Sequence, residues 1–276
     1  MKPASFAYAR PDTLDEALEL LAQHGANARV LAGGQSLAAM LNMRLVQPRV
    51  LVDISGLALL DTIDADDTVM SVGASVTQAA ALRWPGLAVQ PLLAAALPCI
   101  GHPQTRERGT VCGSLAHGDP SAELPLVLAV LGGEVVLQKR GRRRRVAASR
   151  FQQGVMLTDI GEDELVTAAS FPIRRGPLAT AFREVSPRRG DFAILAVAAV
   201  ADPAGVTVGF GGIADTPLVR RLEHLETDAL ADALNAIAWE AGGDSDMHAP
   251  ASYRRHLVRR LGAATIREAC DALPRA

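Results

Sequence analysis

Two short glycine-containing segments constrain the fold of this chain most, because the backbone must bend there with few side chains in the way. The first is Ala32-Gly33-Gly34-Gln35-Ser36 and the second is Thr110-Val111-Cys112-Gly113-Ser114. Each follows an apolar stretch that we interpret as a strand, and each ends in a serine hydroxyl. Glycine permits positive φ and leaves no Cβ between the peptide N–H groups and a ligand. Such donors suit a pyrophosphate, so two separate segments predict a flavin or nicotinamide dinucleotide as ligand.

Neither segment matches the common phosphate-binding motifs. GxGxxG is absent from both, so a Rossmann dinucleotide fold is not supported, and neither contains the lysine of a P-loop. A Gly-Gly pair also occurs in ordinary tight turns, so each segment alone has a purely structural interpretation. The two together strengthen the ligand-binding interpretation and leave the structural one open.

The first part of the chain has the pattern of half a nucleotide-binding unit. Apolar residues at helical spacing predict a helix over 14–21, and Thr13 with Glu16 forms a plausible capping box for it. The other elements predicted here are strands at 29–32 and 50–54 and a helix that starts at residue 35. The first glycine segment therefore lies between a strand and a helix, where anions are favoured.

Beyond residue 57 the predicted elements become shorter. They are strands at 68–73 and 165–172, helices at 77–82, 91–96 and 124–131, and a hairpin of 134–137 with 145–147. Arg174-Arg175-Gly176-Pro177 predicts a boundary. After it, the pattern predicts strands at 179–185, 193–201 and 205–212, then helices at 218–241 and 251–273.

The basic stretch 139–145 has two interpretations, a nucleic-acid-binding patch or the solvated tip of a hairpin with Gly141 in its turn. The chain carries 28 basic and 30 acidic residues, so its net charge of -2 attracts no polyanion. Aromatic residues make up only 4% and leave little surface for stacking bases. We therefore favour the hairpin, with an acidic partner surface as a further use of its charge.

Cysteine and histidine usage indicates that this chain holds no metal. Cys99, Cys112 and Cys270 are far apart and form no CxxC pair, and the six histidines are scattered. We therefore expect neither a zinc site nor an iron–sulfur cluster in this chain. The N-terminal residues lack the apolar stretch of a signal peptide and no apolar run is long enough to span a bilayer, so we expect a cytoplasmic protein.

Longer motifs around the second glycine segment resemble a known family. Residues 106–125 (RERGTVCGSLAHGDPSAELP), 188–193 (RRGDFA) and 252–257 (SYRRHL) are similar to the FAD-binding medium subunit of molybdenum hydroxylases. This family includes the medium subunit of carbon monoxide dehydrogenase and is related to the flavin domain of xanthine dehydrogenase. The similarity extends over essentially the whole chain.

The resemblance implies an α+β fold with two domains. Residues 1–175 would form a two-lobed FAD-binding domain of the PCMH type, similar to vanillyl-alcohol oxidase, with an N-terminal α/β lobe at about 1–56 and a central lobe at about 57–175. Residues 176–276 would form a small C-terminal α+β domain with a three-stranded antiparallel sheet and helices. FAD is expected between the first two lobes.

The resemblance also implies which residues contact FAD. They are Ala32, Gly33, Gly34, Gln35, Ser36, Thr110, Val111, Cys112, Gly113, Ser114, Glu123, Val166, Arg183 and Phe192. Arg183 stands where relatives usually have lysine near the isoalloxazine ring, so it keeps the charge but not the geometry. Phe192 is expected near the same ring. Cys112 replaces a more usual glycine, and we interpret it as a small buried side chain, with a redox role as the alternative.

In this family the medium subunit carries electrons and does not oxidise the substrate. A large subunit holds the molybdenum cofactor, and a small subunit holds two [2Fe-2S] clusters that pass electrons to FAD. We therefore expect an oxidoreductase subunit without catalytic residues of its own, in a dimer of heterotrimers, with FAD bound noncovalently because the first glycine segment contains no histidine. The alternatives are a stand-alone flavin oxidoreductase of the same fold and a flavin-free structural subunit.

Overall fold

The chain begins with a small parallel sheet flanked by two helices, and the computed structural model describes residues 2–223, 226–242 and 245–274. The elements of this N-terminal lobe are β1 (Ala7–Ala9), α1 (Leu14–His24), β2 (Ala28–Leu31), α2 (Leu37–Asn42) and β3 (Val50–Asp53). The strand order is β1-β3-β2, with both pairs parallel. Helix α1 buries Ala17, Leu18 and Leu21, the apolar positions that helical spacing predicts.

The ends of α1 follow from local chemistry. The Thr13 hydroxyl accepts a hydrogen bond from the Glu16 N–H at 3.2 Å, and the Glu16 carboxylate accepts one from the Asp12 N–H at 2.9 Å. In a standard capping box the Glu16 carboxylate would accept from the N–H of the cap residue Thr13, whereas here it accepts from the N–H of the preceding residue, Asp12. Gly25 follows the last helical residue with a φ of 49°, a conformation that glycine adopts most easily.

The central lobe combines an antiparallel sheet with short helices. Its first elements are β4 (Ile63–Ala65), β5 (Val69–Gly73), α3 (Gln78–Arg83), α4 (Pro91–Ala96), α5 (Pro103–Arg108), α6 (Val111–His117) and α7 (Glu123–Leu131). They are followed by β6 (Glu134–Lys139), β7 (Arg142–Ala147), α8 (Ala148–Phe151), β8 (Gln152–Gly154), β9 (Leu157–Thr158) and β10 (Leu165–Pro172). Five strands form one sheet in the order β4-β5-β10-β6-β7, and β8 pairs with β9.

The C-terminal part is an antiparallel sheet covered by two helices. Its strands are β11 (Ala179–Val185), β12 (Leu195–Asp202), β13 (Gly205–Gly211) and β14 (Leu218–Leu222), and its helices are α9 (Thr227–Glu240) and α10 (Ala251–Asp271). The predicted α+β class is confirmed. The sheet has four strands, however, in the order β11-β12-β13-β14, and the predicted three-stranded sheet is one strand short. Residues 218–222, predicted as the start of a helix, instead complete the open edge of β13, where pairing satisfies the backbone groups of both strands. Residues 224 and 225 of that predicted helix lie outside the described residues.

Strand β12 joins the two parts of the molecule, because both of its faces are covered. Leu195, Val197, Ala199 and Ala201 pack into one core with α9 and α10. Ala196, Ala198 and Val200 pack into the core of the central lobe. This explains why the strand is a continuous apolar run without alternation. The C-terminal sheet therefore lies between its own helices and helices α4 and α7 of the central lobe.

No helix among the described residues is long and apolar enough to cross a membrane.

Candidate functional site

The first glycine segment contacts the two residues that immediately precede the second, Arg108 and Gly109. A Cβ added to Gly33 would lie 2.1 Å from the Arg108 carbonyl oxygen and 2.8 Å from the Gly109 Cα, so the two backbones are in direct contact. Only glycine fits there, although the φ of Gly33 is ordinary. Gly34 is constrained differently, because its φ of 72° lies in the left-handed region. The sequence pattern indicates that small residues are needed at these positions. The contact with Arg108 and Gly109 is the reason that position 33 must be glycine.

The first segment presents unpaired backbone donors. The Ala38 N–H bonds the Gly34 carbonyl at 3.0 Å and is the first donor of α2 to have an acceptor. Within the part of the chain that the structure describes, the N–H groups of residues 33–37 donate no hydrogen bond. A run of such donors is the arrangement that binds phosphate oxygens. The Gln35 side chain folds back onto the Gly33 carbonyl at 3.3 Å.

The second segment starts a helix and does not follow a strand, which corrects that part of the prediction. Helix α5 precedes it, begun by Pro103 at its first position, where the fixed φ of proline is pre-organised for a helix. Thr110 then caps α6, its hydroxyl accepting from the Gly113 N–H at 2.9 Å. A Cβ on Gly113 would lie 2.5 Å from that hydroxyl oxygen, so glycine is needed for this cap.

Backbone hydrogen bonds with residues at the start of α3 and just before it hold the second segment in place. Gln78 N–H donates to the Gly109 carbonyl at 2.8 Å, and Val111 N–H donates to the Val76 carbonyl at 3.1 Å. The Gln78 side chain is also buried here, and its Oε1 atom has no hydrogen-bond partner among the described residues. A buried acceptor without a donor is costly unless a ligand satisfies it. The N–H groups of Thr110 and Cys112 likewise lack an acceptor in the described chain.

Cys112 behaves as a core side chain. Its thiol is buried and lies 3.4 Å from the Val72 carbonyl oxygen under the central sheet. Burial raises the pKa of the thiol to about 12, so it stays protonated near neutral pH. Its φ is not positive, so replacing the usual glycine causes no backbone strain. The structural interpretation of Cys112 therefore accounts for the residue without a redox role.

Two carboxyl groups with raised pKa values lie near the junction between the central lobe and the C-terminal sheet. Glu123 begins α7 and is 5% exposed, and burial raises its pKa to about 7. Burial likewise raises the pKa of Glu184 on β11 to about 7, and its Oε2 atom is buried without a partner among the described residues. The negative charge of Glu184 further raises the pKa of Glu123, after the larger effect of burial.

Alternation along β11 decides which of its side chains reaches this junction. Phe182 packs against the central lobe, whereas Ala181 and Val185 pack against α9 and α10. Glu184 therefore shares the face of Phe182, and Arg183 points the other way, where its Nε donates to the Glu268 carboxylate at 2.6 Å. The structure thus does not bring Arg183 to the same face as Glu123.

The remaining predicted positions are divided between core and surface. Val166 is a buried residue of β10, next to an irregularity in its pairing with β6. Phe192 is 61% exposed in the loop between β11 and β12. A contact of Gly190 with His102 places this loop against the central lobe, since a Cβ on Gly190 would lie 2.8 Å from His102 Cε1. The exposed ring is available to a flat ligand.

Sequence reasoning missed Glu184, although the strand pattern contains the signal. A period of two along β11 assigns it to the same face as Phe182, but only the fold shows that this face packs against α4 of the central lobe. A charged residue on the apolar face of a strand that faces a core is the feature that identifies it.

The basic stretch is a hairpin, as predicted. Strands β6 and β7 extend through it to Gly141, whose φ is 68°. Most of its charges are paired with carboxylates: Lys139 with Asp163 at 3.1 Å, Arg140 with Glu19 at 3.7 Å, Arg144 with Asp159 at 2.6 Å and with Glu164 at 2.5 Å, and Arg145 with Glu134 at 3.4 Å. Such pairing argues against a phosphate-binding role for the stretch.

Metal-ligating residues do not cluster in the described chain, since no group of three or more His, Cys, Asp or Glu side chains is placed to hold a metal ion. The unpaired N–H donors at the glycine segments and the orphaned acceptors beside them instead suit an organic ligand with both phosphates and hydroxyls.

Comparison with known proteins agrees with this site. Residues 4–174 match the model of the FAD binding domain in molybdopterin dehydrogenase. The nicotine 6-hydroxylase medium subunit of Paenarthrobacter nicotinovorans is 34% identical over 98% of this chain and 99% of its own. The carbon monoxide dehydrogenase medium chain of Afipia carboxidovorans is 33% identical over 94% of each chain. A crystal structure of carbon monoxide dehydrogenase from Hydrogenophaga pseudoflava superimposes with a TM-score of 0.93 at 27% identity, covering 99% of this chain and 100% of that one.

These relatives are FAD subunits of multi-subunit molybdenum hydroxylases, and the resemblance stated from the sequence motifs is confirmed. FAD is the cofactor, as predicted, and the chain is an oxidoreductase subunit. With the family model covering more than half of its residues and curated relatives aligned along nearly all of it, this chain belongs to the molybdopterin dehydrogenase FAD-binding family.

Proposed function

We propose that this chain is the electron-transfer subunit of a heterotrimeric molybdenum-containing hydroxylase, in which FAD receives electrons from [2Fe-2S] clusters of a small subunit and passes them to an external acceptor. The observation that carries the proposal is the contact of the two glycine segments, which gathers unpaired N–H donors from both into one place. A large subunit would hold the molybdenum cofactor, and the complex would be a dimer of heterotrimers. The relatives' names, as medium subunits and medium chains, support this organisation.

We propose that residues 32–36 and 110–114 bind the diphosphate of FAD through backbone N–H groups. In the second segment the donors would be the N–H groups of Thr110 and Cys112, because Gly113 already donates to the Thr110 hydroxyl. Phosphate oxygens carry negative charge, and hydrogen bonds to charged groups are stronger than those between neutral groups. Because neither segment offers a nucleophilic histidine, the cofactor would be held noncovalently.

We propose that Glu123, Val166, Arg183 and Phe192 contact the rest of the cofactor. Glu123 would accept a hydrogen bond from a hydroxyl, Val166 and Phe192 would pack on apolar parts, and Arg183 would contribute positive charge. Arg183 must release Glu268 to reach the flavin directly. When bound, FAD supplies the capacity to accept and release electrons, and the protein supplies position, water exclusion and charge. We also propose the domain boundary at 175/176, which lies next to the end of the family match.

The experiment is affinity purification of the tagged chain from its native host, with mass spectrometry and metal analysis of what accompanies it. We expect two further polypeptides, with molybdenum, iron and FAD in the preparation. A solitary yellow protein that oxidises a substrate would show a stand-alone flavin oxidoreductase. A solitary protein that remains colourless after FAD is added would show a structural subunit.

A further inference from the structure

Glu184 is a partly buried acidic residue to which the proposed function assigns no role. Its side chain lies on the face of β11 that meets the central lobe, and its Oε2 atom is buried without a hydrogen-bond partner among the described residues. Buried acceptors in native proteins are nearly always satisfied, by protein, water or ligand. An orphaned carboxylate oxygen inside a cofactor-binding protein therefore indicates a donor that belongs to the ligand.

The surroundings of Glu184 contain little positive charge to satisfy it. Glu123 begins α7, and the pKa of the half-buried Cys99 thiol is raised to about 11, by burial first and then by the negative charges of Glu184 and Glu123. The positive charges of Arg189 and Arg106 have the opposite effect and lower that pKa. Arg106 is engaged with backbone carbonyls at 2.7 Å and 3.1 Å. Asp119 adds another negative charge near Glu123.

The position of Glu184 along its strand connects it to the proposed flavin end of the site. Glu184 pairs with Ala196, and only Val185 separates Glu184 from the β11–β12 loop. That loop carries the exposed Phe192. Two acidic groups at this junction would repel phosphates. They suit the part of FAD that offers neutral O–H or N–H donors, which is the flavin end.

We propose that Glu184 is a second acidic contact of the FAD site, and that its carboxylate accepts a hydrogen bond from a neutral donor at the flavin end, a ribityl hydroxyl or the imide N–H. The inference rests on the proposed function, because it presumes that FAD binds between these lobes. It adds a residue to the site and gives the cofactor a direction, with the diphosphate at the glycine segments and the flavin at the acidic pair.

The ionised carboxylate accepts this hydrogen bond more strongly than the protonated carboxyl group does, so binding is linked to pH. In the free protein the pair titrates near pH 7, and a donor from the ligand favours the charged form. The affinity for FAD should therefore rise between about pH 6 and about pH 8, with protons released on binding. Glu123 contributes to the same linkage, so removing Glu184 makes the pH dependence smaller and does not abolish it.

The test uses the full chain freed of flavin, with binding of FAD, riboflavin, lumiflavin and ADP measured by calorimetry. The variants are Glu184→Gln, which keeps the shape, and Glu184→Met, which removes the acceptor. At about pH 8 we expect Glu184→Met to weaken FAD and riboflavin about tenfold or more, with ADP unchanged. Loss of lumiflavin affinity as well identifies the imide as the donor, and unchanged lumiflavin affinity identifies a ribityl hydroxyl. Glu184→Gln should show a flatter pH profile for FAD.

Glu240→Gln is the matched control, because Glu240 is an acidic residue of the same unit that lies on α9 and pairs with Arg220 on β14. It should bind all four ligands like the wild type. Unchanged FAD and riboflavin binding in Glu184→Met overturns the inference, and so does an equal loss of ADP binding, which indicates general damage to the fold. A wild-type chain that binds neither FAD nor ADP refutes the proposed function itself.

Discussion

Replacing Gly33 with alanine tests the contact between the two glycine segments. The new Cβ would lie 2.1 Å from the Arg108 carbonyl oxygen, whereas real Cβ atoms essentially never approach within 3.0 Å of a neighbour. Both partners are backbone, so the segments must separate by roughly 1 Å, as in other overpacked sites, which typically lose about 1–3 kcal/mol of stability. We therefore expect Gly33→Ala to lower the free energy of unfolding by about 2 kcal/mol.

The same displacement should weaken FAD binding, because the N–H donors would no longer converge on one diphosphate. Loss of one hydrogen bond to a charged group costs about 1.5–3 kcal/mol, which corresponds to about a 10- to 100-fold increase in Kd. Stability is measured by urea unfolding of the flavin-free chain, and FAD affinity by quenching of flavin fluorescence. These two readouts separate damage to the fold from damage to the site.

Gly154→Ala is the matched control for this substitution. The φ of Gly154 is also not positive, and its added Cβ would lie 3.8 Å from the nearest atom, an ordinary contact with Leu157. We expect a change in stability below about 0.5 kcal/mol and unchanged FAD binding. If Gly33→Ala unfolds and binds FAD like Gly154→Ala, the close approach of the segments is not what requires glycine, and the reasoning fails.

Three further outcomes follow from other parts of the structure. Arg254→Met should destabilise the chain by about 3 kcal/mol in urea unfolding, because it orphans two backbone carbonyls and a carboxylate. Arg255→Met, at the neighbouring half-buried arginine that stacks on Trp239, should cost less than about 1 kcal/mol. Hydrogen bonds from Arg144 lower the pKa of Glu164, and the stabilisation that this gives disappears as pH falls below about 4.3. Glu164→Gln should therefore lower the free energy of unfolding near neutral pH and make that free energy fall less on acidification. An acid dependence of stability equal to that of the wild type contradicts this. Cys112 should resist thiol reagents in the native chain near pH 8 and react once urea unfolds it, as mass spectrometry of labelled peptides would show.

Local patterns predicted much of the fold correctly. Helix α1 has the buried face and the Thr13 cap that its spacing indicates, and the basic hairpin turns at Gly141. These elements depend on residues close together in sequence, so a short window contains the information. Strand β14 was wrongly predicted as helix because its extended form depends on pairing with β13, which the residues of β14 alone do not indicate. The helices around Thr110 were missed although their signals are local, namely Pro103 at the start of α5 and the Thr110 hydroxyl that caps α6.

The amino-acid sequence by itself determined the two glycine segments, the absence of cysteine pairs and the family resemblance, since each is a property of which residues occur in which order. Tertiary structure decided that Gly33 touches Arg108, that Arg183 turns to Glu268 and that Glu184 lies on the strand face that meets the central lobe. The physical reason is that side-chain direction alternates along a strand, while the identity of the neighbour on each face depends on long-range packing. Steric contacts and buried charges between distant segments exist only after the chain has folded.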